Sequence, residues 1–569
     1  MDENEKYLLW KNQNLLDEDL TDELNSIFDN SEEINDRFYK DLTFGTGGLR
    51  GIIGAGTNRI NIYTIAKASQ GLAAFLNKNF CNAKVAIAYD SRIKSELFAK
   101  ESARVLAANK IQVFLFDELM PTPALSFVVR HLNCTAGIVI TASHNPAEYN
   151  GYKVYGNDGC QITIDTANAV FDEINNVDIF NDVKRVDFNE AIDKKIIKYI
   201  DDSVIQEFFA AVSRQSLNRE LVNKENLNIV YTPLNGSGLK CVTETLKING
   251  FSQINIVTSQ EKPNGFFPTC PYPNPEVKEA LYEGIKLCKK VKADILLATD
   301  PDCDRIGIAV KHKNEYIMLS GNEVGVLLFD YICKIRSKNK TMPSNPLCIK
   351  TIVTTDMIYP IAKKYGVEVL DVLTGFKFIG EQIGLLEKNG DIDRYIFGFE
   401  ESYGYLSGTY VRDKDAVNAA LLICEMATYY QNQNLTLVDA LHQLYLEFGY
   451  YRNILKCFSF EGIAGFKKMQ AIMKQLRENP PANIYGKTIE SFFDYLNRIK
   501  VSNNASEPIS LPSSDVLKFN LKDNISIVIR PSGTEPKLKV YISFISATKE
   551  NADVLAQNLC EYFENLFFN

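Results

Sequence analysis

The chain has 569 residues, a formal charge of −9, 46% apolar residues and 23% charged residues. That length exceeds what one hydrophobic core sustains and predicts about three to five domains, while the ordinary composition excludes disordered and fibrous classes. The mild acidic balance excludes a general nucleic-acid or membrane-surface binder, yet leaves room for a local basic pocket that takes an anionic small molecule.

The 12 cysteines are scattered from Cys81 to Cys560 without a Cys-x-x-Cys pair, which fits reduced thiols better than a disulfide framework or a zinc site. The start, Met1-Asp-Glu-Asn-Glu-Lys6, lacks the basic and apolar regions of a signal peptide. The longest apolar helical candidate, around Ala416 to Tyr430, is interrupted by Asn418 and Glu425. A soluble, cytoplasmic protein with no membrane or nucleic-acid partner is expected.

Residues 1 to about 40 read as acidic amphipathic helices, with Leu8, Leu9, Leu15, Leu16, Ile27 and Phe28 as their apolar positions. A glycine-dense stretch follows, from Thr43 to Arg59. Its glycines let backbone approach a ligand, and Arg50 is suited to gripping a phosphate, although a flexible connector would look similar. The Gly-Lys-Ser/Thr of a nucleotide-binding P-loop is absent.

Helix and strand then alternate. Helix Thr64–Lys78, strand Lys84–Asp90, helix Glu96–Asn109, strand Ile111–Asp117 and strand Ala136–Thr141 form a first unit. The rhythm restarts with strand Leu227–Thr232, helix Cys241–Asn249, strand Gln253–Thr258, helix Pro275–Lys290 and strand Ala293–Thr299. It restarts again with strand Leu347–Thr354, helix Met357–Tyr365, strand Val367–Leu373, helix Lys377–Glu387 and strand Arg394–Gly398. Strands separated by helices predict βαβ units and largely parallel sheets. After about residue 455 a helix, alternating strands and a closing helix from Lys549 predict a smaller α+β domain. The expected division is 1–205, 206–325, 326–455 and 456–569.

Four stretches carry candidate chemistry. The strand ending at Thr141 runs into Ala142-Ser143-His144-Asn145-Pro146, with Lys153 in the loop beyond. A hydroxyl, an imidazole and a cation thus gather where α/β proteins place their chemistry, although Asn-Pro also suits an ordinary turn. The strand ending at Thr299 runs into Asp300-Pro-Asp302-Cys-Asp304-Arg305. In extended backbone, alternate residues share a side, so three carboxylates can converge on one hard cation. An EF-hand is excluded because Arg305 stands where its glycine should be and Lys311 where its last glutamate should be. A small all-carboxylate set suits Mg²⁺, which takes its remaining ligands from phosphate and water.

The third stretch, Phe397-Gly-Phe-Glu400-Glu-Ser402-Tyr-Gly404, offers acceptors for sugar hydroxyls or a plain surface turn. Upstream, Gly375 and Lys377 stand at the start of a predicted helix. The fourth, Ile529-Arg530-Pro-Ser532-Gly533-Thr534-Glu-Pro-Lys537, combines cations, hydroxyls and loosened backbone into a candidate cradle for a phosphate dianion, or a decorated hairpin turn.

In this order, and together with the glycine-rich loop, these stretches resemble the α-D-phosphohexomutase superfamily, in particular its long phosphoglucomutase and phosphopentomutase group. The matching motifs span residues 45 to 537. The resemblance implies three similar α/β domains with mixed, largely parallel sheets and a smaller C-terminal α+β domain around a central cleft. It implies that Ser143 carries a phosphoryl group and that Ser143, Asp300, Asp302 and Asp304 hold Mg²⁺. Arg50 and Arg305 would stabilise charge, and His144 and Lys153 would be the candidates for proton transfer. Gly375, Lys377, Glu400 and Ser402 would contact the sugar, and Arg530, Ser532, Gly533, Thr534 and Lys537 its non-reacting phosphate.

The implied reaction interconverts glucose 1-phosphate and glucose 6-phosphate, a small phosphorylated sugar, through glucose 1,6-bisphosphate. Ribose and deoxyribose phosphates are the alternative substrates. A phosphoserine-dependent phosphatase is a further alternative, but zinc enzymes of that kind need several histidines and this chain has only His131, His144, His312 and His442. The sequence departs from the shorter bacterial pattern at Phe399 and Tyr403-Gly404, which puts a histidine contact to the sugar there in doubt.

Overall fold

The computed structural model describes all residues except 46, 461, 503, 504, 533 to 536 and 569. The first α/β unit is built on a six-stranded sheet in the order Gly48–Ile52, Tyr149–Gly156, Ala136–Ile140, Lys84–Tyr89, Gln112–Leu115, Ile197–Tyr199. The first three strands pair antiparallel and the rest parallel. The second unit has a five-stranded sheet, Glu315–Leu319, Ile306–His312, Ile295–Thr299, Ile229–Thr232, Ile254–Ile256, again antiparallel at one edge and parallel at the other. The third has four strands, Glu368–Val372, Leu347–Thr351, Tyr395–Glu400 and Gly404–Leu406, of which only the last pairing is antiparallel.

One relationship recurs in all three. A fully buried strand of each parallel array turns back into an antiparallel neighbour, and the turn holds the residues with chemical potential. Those turns are Thr141–Glu148, Asp300–Arg305 and Glu401–Tyr403. The alternation of helix and strand reveals the parallel arrays; the resemblance implies mixed sheets, but the alternation gives the returning strands no position. Lys153 consequently stands on strand Tyr149–Gly156 rather than in a loop, and part of the glycine-dense stretch is strand Gly48–Ile52. Glycine is required there: a Cβ on Gly48 would lie 2.2 Å from the Tyr152 carbonyl oxygen.

The C-terminal unit is an antiparallel sheet running Tyr450–Ser459, Lys537–Ser546, Ile525–Pro531, Leu517–Leu521, Lys487–Asp494, Ile499–Ser502, Ala505–Pro508. Helices Gly462–Glu478 and Lys549–Phe568 accompany it. Its own apolar cluster includes Phe519, Ile527, Val540, Leu559 and Phe563.

The three α/β units share one continuous apolar cluster, from Phe127 and Phe208 through Leu297 to Phe329, Phe397 and Leu421. Burying each such side chain contributes about 1.5 to 3 kcal/mol, so this seam holds the units as one body. The C-terminal unit joins that body through a smaller patch, Ile352, Val353 and Leu373 against Tyr495, Val516, Val528 and Tyr541.

Two local expectations change. The N-terminal helices bury Tyr7, Trp10, Leu20, Leu24 and Phe38, together with the expected Ile27, while Leu8, Leu9, Leu16 and Phe28 face outward. The helix expected from Pro275 begins as a 3₁₀ turn at Lys278 and becomes α-helical only at Tyr282–Val291. The Pro-rich start is non-helical, since proline denies the helix a donor and restricts the residue before it. No described helix is long and apolar enough to cross a membrane.

Candidate active site

Strand Ala136–Ile140 is buried along its whole length and delivers Ser143 to the end of the sheet. Ser143 adopts a left-handed φ of 53°, unusual for a residue with a Cβ. Its backbone N–H donates to Thr141 Oγ1 at 2.8 Å, and Thr141 donates to Asp90 Oδ2 at 2.6 Å, which fixes the turn. The Ser143 hydroxyl donates to Asp300 Oδ2 at 2.7 Å, across the boundary between the first and second units. His144 Nδ1 lies 3.3 Å from the same hydroxyl oxygen. Burial, and the positive charges of Arg305 and Arg50, hold His144 well below its ordinary range, so at neutral pH it is an uncharged imidazole.

Asp300, Asp302 and Asp304 are fully buried, and one ligand oxygen from each lies within 4.8 Å of the others. Burial and the neighbouring carboxylates push Asp300 well above the usual carboxylate range and also raise Asp304. Burial works against ionisation of Asp302 too, but Lys153, the hydrogen bond with Asp300 and the charge of Lys414 together outweigh it, and the group is pulled below its ordinary value. Lys153 Nζ donates to Asp302 Oδ2 at 2.9 Å, as does Thr122 Oγ1 at 3.2 Å. Asp302 Oδ1 and Asp304 Oδ1 are buried without a hydrogen-bond partner. Buried polar atoms are normally satisfied. Crowded hard oxygen donors with orphaned lone pairs fit a divalent cation.

Arg305 is turned by Glu276, whose carboxylate accepts from Nη1 at 3.1 Å. Arg50 donates to Asn145 Oδ1 at 3.1 Å and so reaches the same loop as Ser143. On the third unit, Glu400 ends its strand 4% exposed and accepts the Gly375 N–H at 3.0 Å, which joins two of the expected sugar-contacting stretches. Burial raises the Glu400 carboxyl, against the charges of Lys414 and Arg305. The Ile306 N–H donates to the Tyr403 carbonyl at 3.1 Å, so this turn neighbours the aspartate loop. Lys377 lies in the first turn of helix Phe376–Lys388, held below its ordinary value by burial, and Ser402 follows in the same turn as Glu400.

In the C-terminal unit, Arg530 lies opposite Lys539 in the hairpin and 6.0 Å from the Tyr541 ring centre. The Ser532 N–H donates to the Lys537 carbonyl at 2.7 Å. Gly533 and Thr534 lie outside the described residues. Burial and the charge of Arg530 lower Lys539, as expected of a concentrated cationic patch.

Four groups at this site escaped the sequence reading. Lys414 reaches from the third unit to within 2.7 Å of Asp304 Oδ2. Arg92, Glu276 and Lys539 hold or extend the expected groups. A signal existed for two of them: Asp90-Ser-Arg92 at a strand end, and the charge run Arg412-Asp-Lys414-Asp directly before an apolar helix. Glu276 lies in an ordinary Pro-rich stretch and Lys539 in an ordinary strand alternation, so neither stood out.

Four family models match the chain in order. They are phosphoglucomutase/phosphomannomutase alpha/beta/alpha domain I at residues 41–179, domain II at 206–313, domain III at 320–448, and the C-terminal domain at 483–558. A phosphoglucomutase of Staphylococcus aureus strain bovine RF122 / ET3-1 is 40% identical over 517 residues, covering 90% of this chain and 91% of the relative. That of strain MSSA476 is 38% identical over 533 residues, with 93% of each chain covered. Among solved structures, a putative phosphomannomutase from Thermus thermophilus shares the fold at a TM-score of 0.69 with 19% identity, covering 93% of this chain and 99% of its own. The Paramecium phosphoglucomutase parafusin, in an open form, also gives 0.69, with 18% identity, covering 93% and 96%.

Proposed function

This chain belongs to the phosphoglucomutase/phosphomannomutase family, and from that membership we propose that it interconverts glucose 1-phosphate and glucose 6-phosphate through a phosphoserine at Ser143. The observation that carries the reading is the Ser143 hydroxyl 2.7 Å from Asp300, inside a nest of three buried aspartates. The domain limits 1–205, 206–325, 326–455 and 456–569 belong to the same proposal.

In the proposed reaction the sugar hydroxyl attacks phosphorus, the bond to Ser143 Oγ breaks, and the hydroxyl proton leaves to a base. Neutral His144, whose Nδ1 lies 3.3 Å from the Ser143 hydroxyl oxygen, accepts that proton, and Lys153, which donates to Asp302, is the second candidate for proton transfer. Phosphoryl transfer asks little covalent chemistry of a protein beyond the nucleophile, so positioning and charge neutralisation carry most of it. Asp300, Asp302, Asp304 and a phosphoserine oxygen of Ser143 would hold Mg²⁺, which supplies positive charge to the transferring phosphoryl group. Arg50 and Arg305 add cationic charge on the side of the serine loop. Gly375, Lys377, Glu400 and Ser402 bind sugar hydroxyls.

Arg530, Ser532, Gly533, Thr534 and Lys537, with Lys539, hold the phosphate that does not react. The intermediate glucose 1,6-bisphosphate turns over in the site and returns its other phosphate to Ser143. A closing C-terminal unit keeps water from the phosphoserine, consistent with the small patch that attaches it.

The test is intact mass after incubation with glucose 1,6-bisphosphate. Wild type gains one phosphate and Ser143→Ala gains none; no phosphate on wild type under any condition overturns the reading. Turnover on glucose 1-phosphate above that on ribose 1-phosphate assigns the hexose, and the reverse assigns a phosphopentomutase.

A further inference from the structure

Arg92 lies just beyond strand Lys84–Tyr89 and is 3% exposed. Its guanidinium makes five donor contacts, all to backbone carbonyls, four of them in the Ser143 turn and one at Tyr149, where the next strand begins. Nε and Nη2 donate to the Ser143 oxygen at 3.2 and 2.6 Å, and Nη2 also donates to Asn145. Nη1 donates to Pro146 at 2.8 Å and to Tyr149 at 2.9 Å. A planar fork with fixed donors is suited to pinning several carbonyls at once, which a lysine cannot do. Asp90 orients the fork, with Oδ2 3.5 Å from Nε.

The partner packed against this guanidinium comes from the second unit. The Phe267 ring centre is 5.2 Å from Arg92 Cζ, and Phe267 is 1% exposed. Phe267 has a φ of 45°, a left-handed conformation that an aromatic residue keeps only where its surroundings enforce it. Two residues earlier, a Cβ on Gly265 would lie 2.5 Å from the Ile93 nitrogen, so the whole segment sits directly on the Arg92 turn.

The other end of the same segment is tied to the aspartate loop. The Asn264 N–H donates to the Asn235 carbonyl at 3.0 Å, and Asn235 Nδ2 donates to the Lys262 carbonyl at 2.8 Å. The next residues press on Pro301: a Cβ on Gly236 would lie 2.4 Å from its Cα, and Ser237 N and Oγ both donate to its carbonyl at 2.8 Å. Contacts therefore run without a break from Asp300-Pro301 through residues 235–237 and 264–267 to Arg92, and on to the Ser143 carbonyl.

We propose that Arg92 and Phe267 form a brace between the first two units that sets the register of the serine turn against the aspartate loop, making both of them positioning residues for phosphoryl transfer. The proposal rests on the mutase reading above. A displacement of about 1 Å at the reacting atoms costs on the order of a hundredfold in rate. A brace that touches neither sugar nor phosphate acts on the transfer step and leaves substrate binding alone.

The test uses the full-length protein with Arg92→Lys, Phe267→Leu and both together. Phosphoserine formation from glucose 1,6-bisphosphate is followed by quenched intact mass, alongside kcat and KM for glucose 1-phosphate and the melting temperature. Each single variant is expected to slow transfer and kcat about tenfold or more, with KM within about twofold. The double variant is expected to lose little beyond the worse single, because both remove one brace. Unchanged kcat in both singles, losses that multiply in the double, or a rise in KM that accounts for the whole effect overturns the proposal.

Backbone amide exchange across residues 143–149 supplies a readout independent of turnover. The brace predicts faster exchange there in Phe267→Leu, although the substitution lies in the other unit. Unchanged exchange overturns the brace, even should Arg92→Lys fail to fold. If wild type transfers no phosphate at all, the mutase reading falls, and the exchange measurement still decides the brace.

Discussion

Lys414 Nζ lies 2.7 Å from Asp304 Oδ2, so the third unit supplies a cation to the carboxylate nest of the second. Tyr155 of the first unit donates to Asp413 Oδ2 at 2.7 Å, next to that lysine, so all three α/β units meet within a few residues. Burial opposes the charge on Lys414, but Asp304 and Asp413 outweigh it and keep the ammonium charged. Removing one partner of a buried pair leaves an uncompensated charge, at a cost of about 3 to 5 kcal/mol. Lys414→Met is expected to lower the melting temperature sharply in EDTA and less in Mg²⁺, which replaces the missing positive charge. Thermal denaturation in the two conditions checks this, and an equal loss in both would place Lys414 outside the metal nest.

The orphaned oxygens of Asp302 and Asp304 lead to a second expectation. Chelation should abolish turnover and Mg²⁺ should restore it. Asp302→Asn should reduce kcat by about a hundredfold or more, because it removes one hard ligand and also the partner of Lys153. Circular dichroism should show the fold intact. Turnover that persists in EDTA would remove the metal from the reaction.

Gly321 opens helix Gly321–Lys338, and an added Cβ would lie 2.0 Å from the Glu401 carbonyl oxygen and 2.8 Å from the Tyr403 nitrogen. Backbone on both sides leaves nothing flexible to move. Gly321→Ala is therefore expected to displace the Glu400–Tyr403 turn, raising KM for the sugar phosphate several-fold and lowering stability by about 1 to 3 kcal/mol. Steady-state kinetics and denaturation check the pair of effects, and an unchanged KM would separate this turn from the sugar.

The four chemical turns were legible because each follows a short apolar strand and crowds polar groups together, as Ser143-His144 and Asp300-Asp302-Asp304 do. The parallel arrays were legible from their alternation with helices. The returning strand Tyr149–Gly156 was not, because it carries Asn150, Gly151 and Lys153 in place of a continuous apolar run. Groups that act by supporting others, such as Glu276 behind Arg305, leave no local pattern, since their partner is distant in sequence. Lys414 is intermediate: its charge run was visible, but only the packing of the third unit on the second gives that run a partner.

Asp415 gives the chain a pH dependence that can be isolated. It caps helix Ala416–Gln431, accepting the Val417 N–H at 2.7 Å and the Asn418 N–H at 3.1 Å, with the Tyr410 hydroxyl as a further donor. Burial raises its carboxyl from 3.8 to about 6 despite those hydrogen bonds. Between those values the folded chain holds a proton that the unfolded chain has released, so stability falls as pH rises through this window. Above about pH 6 the full cost is present, about 3 kcal/mol for a shift of roughly two units. Asp415→Asn keeps an acceptor for the helix N–H groups and carries no charge. It should therefore melt above wild type at pH 8, and the advantage should shrink through pH 6 and 5 and vanish near pH 4. Melting curves of both proteins across that range decide it: an offset that stays constant with pH would mean that the carboxyl titrates alike in the folded and unfolded chains.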